Sequence, residues 1–174
     1  MITGLLLVGG ASGRFGSPKA LAEFRGKTLA ARAWDLLGEA CGERIAVGKV
    51  EDGLDLPFPL LDDGTDVRAP LAGLVAGLRA AGHDVCVAVP VDMPLLTPAS
   101  LLELAGACRD VAIPPTGPLP GAYRKSALPV LQRRLRAGEL KLAGALADLD
   151  TATVELDPEL LVNVNRQNDL ARLT

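Results

Sequence analysis

The chain has only one histidine, His83, and only three cysteines. His83 lies between a helix stop and an apolar strand-like run, where a surface turn residue is expected. No Ser-His-Asp or Cys-His arrangement is therefore expected. Cys41, Cys86 and Cys108 form no C-x-x-C pair and leave one over from any pairing, which speaks against structural zinc and for a reducing cytoplasm, with buried, inert thiols. Neither charge is in large excess: 18 Lys and Arg face 21 Asp and Glu, for a net charge of −3. A general basic footprint for nucleic acid is absent, so any anion binding has to be local. Long hydrophobic runs are also missing. Although 49% of residues are hydrophobic, their runs are short and broken by charge, which gives no membrane span. The first apolar run follows no cationic segment and does not read as a signal peptide, so a cytoplasmic location is expected. Linkers, internal repeats and low-complexity tracts are absent, and 174 residues suffice for one domain with a real core.

What is present is an alternation of short apolar runs with helical stretches. Strands are expected at Leu5–Val8, Ile45–Val47, Phe58–Leu61, Val85–Val89 and Val111–Ile113. Val85–Val89, VCVAV, is the strongest of them and reads as a central parallel strand. Thr28 is placed to cap a helix reaching about Cys41, with Gly42 as its stop. Pro70 opens a helix that stops at Gly82, Thr97 caps another beginning at Pro98, and Ser126 caps one running to Ala137. The segment from Leu119 to Lys125 reads as extended, TVEL at 153–156 as strand-like, and a short helix closes the chain. Strands alternating with helices of this length imply βαβ units, an α/β fold and a mainly parallel sheet. Ligands of such sheets sit beyond the carboxyl ends of the strands. Four chemically rich segments fall at strand ends: a glycine loop after the first strand, the Asp62 loop, Asp92, and Asn163 with Asn165.

Residues 3–19, TGLLLVGGASGRFGSPK, carry the clearest chemistry. Gly9, Gly10, Gly13 and Gly16 free the backbone to approach a ligand and to aim several N–H groups at one anion. Arg14 and Lys19 add two positive charges to the same loop, as a triphosphate requires. The loop is not a Walker A sequence, since the chain's one Gly-Lys-Thr, Gly26-Lys27-Thr28, has Leu21 where a glycine is needed. That tripeptide reads as a turn followed by a helix cap. No dinucleotide fingerprint fits either, because GGASGRFG has no G-x-G-x-x-G register and the second strand ends in Val47-Gly48-Lys49 with no acid for a ribose.

Asp92 stands in VPVDMP, just past the central strand, where a carboxylate faces the ligand crevice. Mg²⁺ is satisfied by one or two carboxylates plus substrate phosphates, so Asp92 is the expected metal ligand. Asp62, Asp63 and Asp66 form a weaker acidic group whose default reading is a solvated loop. A carboxylate there can nevertheless accept from N1–H and N2–H₂ of guanine, which makes Asp62 a candidate nucleoside reader. Arg133, Arg134 and Arg136 are spread around a helix and read as a solvated face.

The motif G-G-x-S-x-R-F-G-x-x-K at 9–19, PLAG at 70–73, VDMPLL at 91–96 and NVN at 163–165 together resemble the molybdenum cofactor guanylyltransferase family, small nucleotidyltransferases related to nucleotide-sugar pyrophosphorylases. The resemblance runs in order along essentially the whole chain. It implies a single nucleotidyltransferase domain over residues 1–174, a Rossmann-like three-layer sandwich, and transfer of GMP from GTP to the phosphate of molybdopterin with release of pyrophosphate. It further implies nucleotide contacts from Leu7, Val8, Gly9, Gly10, Ser12, Gly13, Lys19, Asp62 and Asp92. Lys19, Arg14 and Asp92 would act in catalysis, with Mg²⁺ on Asp92. Tyr123, Arg124, Asn163 and Asn165 are the candidate acceptor lining, with ordinary packing an equal reading for Tyr123. Transient contact with molybdenum-insertion or molybdoenzyme-maturation proteins fits the same picture, with no nucleic acid and no membrane. Two positions depart from the family pattern. Gly48 stands where an asparagine is frequent near the base, and Pro18 precedes the lysine where guanylyltransferases often carry aspartate. A molybdopterin cytidylyltransferase, a nucleotidyltransferase for another small acceptor, and a non-catalytic GTP-binding accessory protein are the alternatives.

Overall fold

The computed structural model describes residues 1–9 and 16–173. β1 (Thr3–Leu7) is buried at every residue, as an apolar strand with neighbours on both edges and layers on both faces must be. It pairs in parallel with β4 (Glu43–Gly48) and β6 (Val85–Pro90). Two short strands, β2 (Glu23–Phe24) and β3 (Lys27–Thr28), form a separate hairpin. Its turn residues Arg25 and Gly26 have φ of 50° and 81°, the left-handed pair that suits a two-residue hairpin. β5 (Leu60–Asp62) extends the sheet on one side of β4. On the far side of β6 lie β8 (Gly121–Arg124), β7 (Val111–Ile113) and β9 (Thr151–Thr153). The seven-stranded order is β5-β4-β1-β6-β8-β7-β9, with β8 antiparallel to both neighbours and the other pairings parallel.

Strand alternation sends successive side chains into two cores. Leu6 and Val8 pack with Ala46, Val87 and Val89 under α1 (Leu29–Ala40) and α3 (Pro98–Ala107). Leu5 and Leu7 pack with Val47 and Ala88 under α2 (Pro70–Ala80) and α4 (Leu128–Arg136). The result is the expected three-layer α/β sandwich. Glycines let α2 lie close on β1: a Cβ on Gly77 would stand 2.9 Å from Leu5 Cδ1, and one on Gly73 3.3 Å from Leu7 Cδ2. A short α5 (Leu142–Ala145) joins the α2–α4 layer. A third cluster of Ala22, Phe24, Leu29, Val164 and Leu170 clips the hairpin to the C-terminal α6 (Gln167–Arg172).

Three elements differ from the sequence expectation. β5 starts two residues later than the apolar run Phe58–Leu61 suggests. Pro59 has no N–H for the ladder, and Phe58 stacks on Trp34 with ring centroids 4.4 Å apart. Ser126 does not cap α4, because its hydroxyl donates to Asp110 at 2.5 Å, and a 3₁₀ turn over Lys125–Ala127 leads into the helix. The last strand is Thr151–Thr153 and not TVEL, since its register is set by pairing with Val111–Ile113. Thr28 does cap α1, accepting from the Ala31 N–H at 3.1 Å, and Gly26 does form the preceding turn. No helix among the described residues is long and apolar enough to cross a membrane.

Candidate active site

Parallel pairing puts the carboxyl ends of β5, β4, β1 and β6 at one edge, where Leu7 is level with Val47 and Pro90, and Gly48 with Asp62. From β1 the chain leaves toward β4, and from β6 it leaves toward β7, on opposite sides. The crevice between β1 and β6 is therefore the topological switch point. Leu7 and Val8 are buried beside it, and Gly9 emerges exposed. Gly16, at the other end of the loop, sits at φ 74°, a backbone conformation that favours glycine, and a Cβ added there would meet nothing within 4 Å among the described residues. Gly10, Ser12, Gly13 and Arg14, expected in the phosphate cradle, lie outside the described residues.

Lys19 and Asp92, 73 residues apart, meet across this crevice. Lys19 opens a 3₁₀ turn behind Pro18, with Ala20 buried in the core beneath it. Asp92 is fixed by its buried neighbours Val91 and Met93, both 7% exposed, and by its carbonyl, which accepts from the Val164 N–H at 2.8 Å. The Lys19 ammonium stands 3.4 Å from Asp92 Oδ2. The other oxygen, Asp92 Oδ1, is buried and has no hydrogen-bond partner among the described residues. A buried carboxylate oxygen without a donor is costly. That oxygen fits a bound cation whose remaining ligands come from phosphates. No group of three or more His, Cys, Asp or Glu among the described residues could hold a metal unaided.

Val164, fully buried, places Asn163 and Asn165 on either side of the Asp92 contact, both exposed. Two other residues of the expected acceptor lining are corrected. Tyr123 is a core residue: it is fully buried under α2 and α4, and its hydroxyl donates to the Pro118 carbonyl at 2.6 Å. Arg124 lies at the wrong edge because β8 runs antiparallel, which sets it level with Val85 at the start of β6. The six residues of β6 then separate it from the crevice by roughly 16–20 Å. There it bonds Asp84 and the carbonyls of Arg109 and Cys108.

Asp62, at the end of β5, accepts from the Val50 N–H at 2.9 Å and the Gly64 N–H at 2.8 Å. These backbone bonds, Val50's first, hold its carboxyl below the usual carboxylate range. Beside it lies a pair that the sequence reading missed. Lys49 and Asp63, both nearly buried, form an ion pair at 2.7 Å. The only trace in the sequence is a lysine directly behind a strand that ends at the ligand edge. His83 sits at the opposite edge with Thr3 and Glu43, its Nδ1 3.0 Å from Thr3 Oγ1. Arg133 is exposed and pairs with Asp148 on the α4 face, as expected, whereas Arg134, which pairs with Glu139, is only 17% exposed and departs from the solvated reading.

Residues 4–152 match the family described as the MobA-like NTP transferase domain. The chain belongs to that family. Its members are nucleotidyltransferases. A relative from Chloroflexus aggregans, named as a probable molybdenum cofactor guanylyltransferase, is 33% identical over 98% of this chain and 92% of its own length. The molybdenum cofactor guanylyltransferase of Desulfosudis oleivorans is 29% identical over 98% of this chain and 93% of its own. Among solved structures, molybdopterin-guanine dinucleotide biosynthesis protein A from Archaeoglobus fulgidus superposes with a TM-score of 0.83 at 26% identity, covering 98% of this chain and 95% of that one.

Proposed function

We propose that the protein transfers GMP from GTP to the terminal phosphate of molybdopterin and releases pyrophosphate. The observation that carries this reading is the convergence of Lys19 and Asp92 at the switch point beside the exit of β1. The family and the names of its relatives supply the substrates. In this reading the triphosphate lies beside Gly9 at the exit of β1. Arg14 and Lys19 place positive charge along the phosphates, and Leu7 and Val8 form the floor. Asp62 and the backbone around Gly48 face the nucleoside, while Asn163 and Asn165 border the acceptor.

An oxygen of the acceptor phosphate attacks the α-phosphorus in line. The new P–O bond forms as the bond to the bridging oxygen of pyrophosphate breaks. An ionised phosphate monoester needs no base, which suits a chain whose single histidine lies at the opposite edge of the sheet. Lys19 neutralises charge that grows on the leaving group, and the rigid crevice holds the reactants in line. Asp92 would hold Mg²⁺ through Oδ1, which has no partner among the described residues, and that ion, when bound, would neutralise phosphate charge. We place the protein in the cytoplasm, where its thiols stay reduced. Burial pushes Cys86 up to about 12 and Cys41 to about 11, which leaves them inert at neutral pH. Transient contact with molybdenum-insertion or molybdoenzyme-maturation proteins follows, since the product is a cofactor that has to be delivered.

The test is pyrophosphate release from GTP and from CTP in the presence of molybdopterin. Release from GTP alone is the expected result. Preference for CTP would move the protein to the cytidylyl branch, release only with a different phosphorylated acceptor would change the acceptor, and GTP binding without turnover would make it an accessory protein.

A further inference from the structure

At the same edge, one buried cation is not used by the proposed reaction. We propose that Lys49 is a positioning residue: its ammonium fixes the 62–67 loop as a rigid wall of the nucleoside subsite. The proposal rests on the guanylyl-transfer reading and adds to it the group that organises base and ribose contact. Lys49 is 5% exposed and the Asp63 side chain 6%. The ammonium donates to Asp63 Oδ1 at 2.7 Å, to the Thr65 carbonyl, and to Thr65 Oγ1 at 3.4 Å. All three of its donors are spent on this one loop.

The same acceptor, Asp63 Oδ1, also takes the Thr65 N–H at 3.0 Å and the Thr65 hydroxyl at 3.3 Å. Thr65 Oγ1 in turn accepts from the Val67 N–H at 3.1 Å. The Asp63 N–H returns to the Gly48 carbonyl at 3.0 Å, and Asp62 closes the other side by holding the Val50 N–H. The exits of β4 and β5 are thus laced together by bonds that pass through, or lie next to, the Lys49–Asp63 pair.

A buried ion pair is a poor way to gain stability, because desolvation offsets much of the attraction. Here it orders a loop with little core of its own, for Leu61, Asp62, Gly64 and Asp66 are all exposed. What the pair secures is the placement of an exposed acidic loop level with Val8 and Gly48. A Cβ on Gly48 would stand 3.5 Å from Val8 Cβ, so this loop and the β1 exit border one surface.

The experiment compares wild type, Lys49→Met, and the double variant Lys49→Met/Asp63→Leu. Amide hydrogen exchange is read at Gly64, Thr65 and Val67, and GTP and CTP dissociation constants are measured without acceptor. The single variant is expected to lose amide protection in this loop and to bind GTP about tenfold more weakly, the size of a lost charged hydrogen bond. The double variant removes both charges, so its melting temperature should recover while its GTP affinity stays low. A purely structural pair would do the opposite: affinity would recover with the melting temperature. Unchanged loop protection and unchanged GTP affinity in the single variant would overturn the proposal. A wild-type protein that binds CTP and not GTP removes the guanylyl reading alone, and the CTP constants then decide the role of Lys49. Binding of neither nucleotide overturns both.

Discussion

At the scale of single residues, the account rests on Asp92 and Lys19. Asp92→Asn keeps the shape and the carbonyl bond to Val164 but removes the charge beside Lys19. Loss of one such stabiliser costs roughly 10²–10³ in turnover. We expect that loss in a steady-state assay of pyrophosphate release, with a melting temperature within a few degrees of wild type. Full activity in this variant would remove Asp92 from the site. Lys19→Met should show a similar loss in turnover. Both residues were legible in the sequence because each lies in a segment that leaves a strand at the ligand edge. Lys49 and Asp63 were not, since an ion pair between residues 14 apart in two loops leaves no periodic pattern to read. Tyr123 and Arg124 were misplaced for a different reason. A short extended segment does not announce its direction, and an antiparallel β8 sends its last residue away from the crevice.

At the scale of elements, helix starts and close helix–strand contacts govern stability. Thr28→Ala removes the side-chain acceptor that satisfies the Ala31 N–H. It should cost about 1 kcal/mol, measured as a shift in the urea midpoint. Gly77→Val would drive side-chain atoms into Leu5, already 2.9 Å from a Cβ at that position. Overpacking of this kind costs roughly 1–3 kcal/mol, and because α2 lies on β1, GTP turnover should fall with stability. The alternation of apolar runs and helical stretches made these layers readable, as did the capping residues Thr28 and Thr97. Where the reading failed, a longer-range partner had taken the group: Asp110 took the Ser126 hydroxyl, and Trp34 took the Phe58 ring.

At the scale of the whole molecule, acidic groups on separate elements share one response to pH. The Thr3 hydroxyl holds Glu43 below its usual range, Arg68 holds Asp52, and the Val50 N–H holds Asp62. The Ser126 hydroxyl does the same for Asp110, and the Asn165 N–H for Asp169. Carboxyls depressed in the folded state bind protons more readily when unfolded. Their contribution is therefore complete above the unfolded values, about 4, and is lost as pH falls through the lower folded ones. The urea midpoint should hold steady from neutral pH down to roughly pH 5 and drop below about pH 4. A flat profile to pH 3 would show that these bonds do not differ between the two states. The sheet brings distant segments together in the same way, setting Gly9, Lys19 and Asp92 around one crevice. A crystal structure of the protein with GTP and Mg²⁺ tests that convergence most directly. The account predicts the triphosphate between the 9–19 loop and Asp92, with the metal on Asp92 Oδ1 and Lys19 on a phosphate oxygen. A triphosphate bound at any other edge of the sheet, or a metal held away from Asp92, would contradict it.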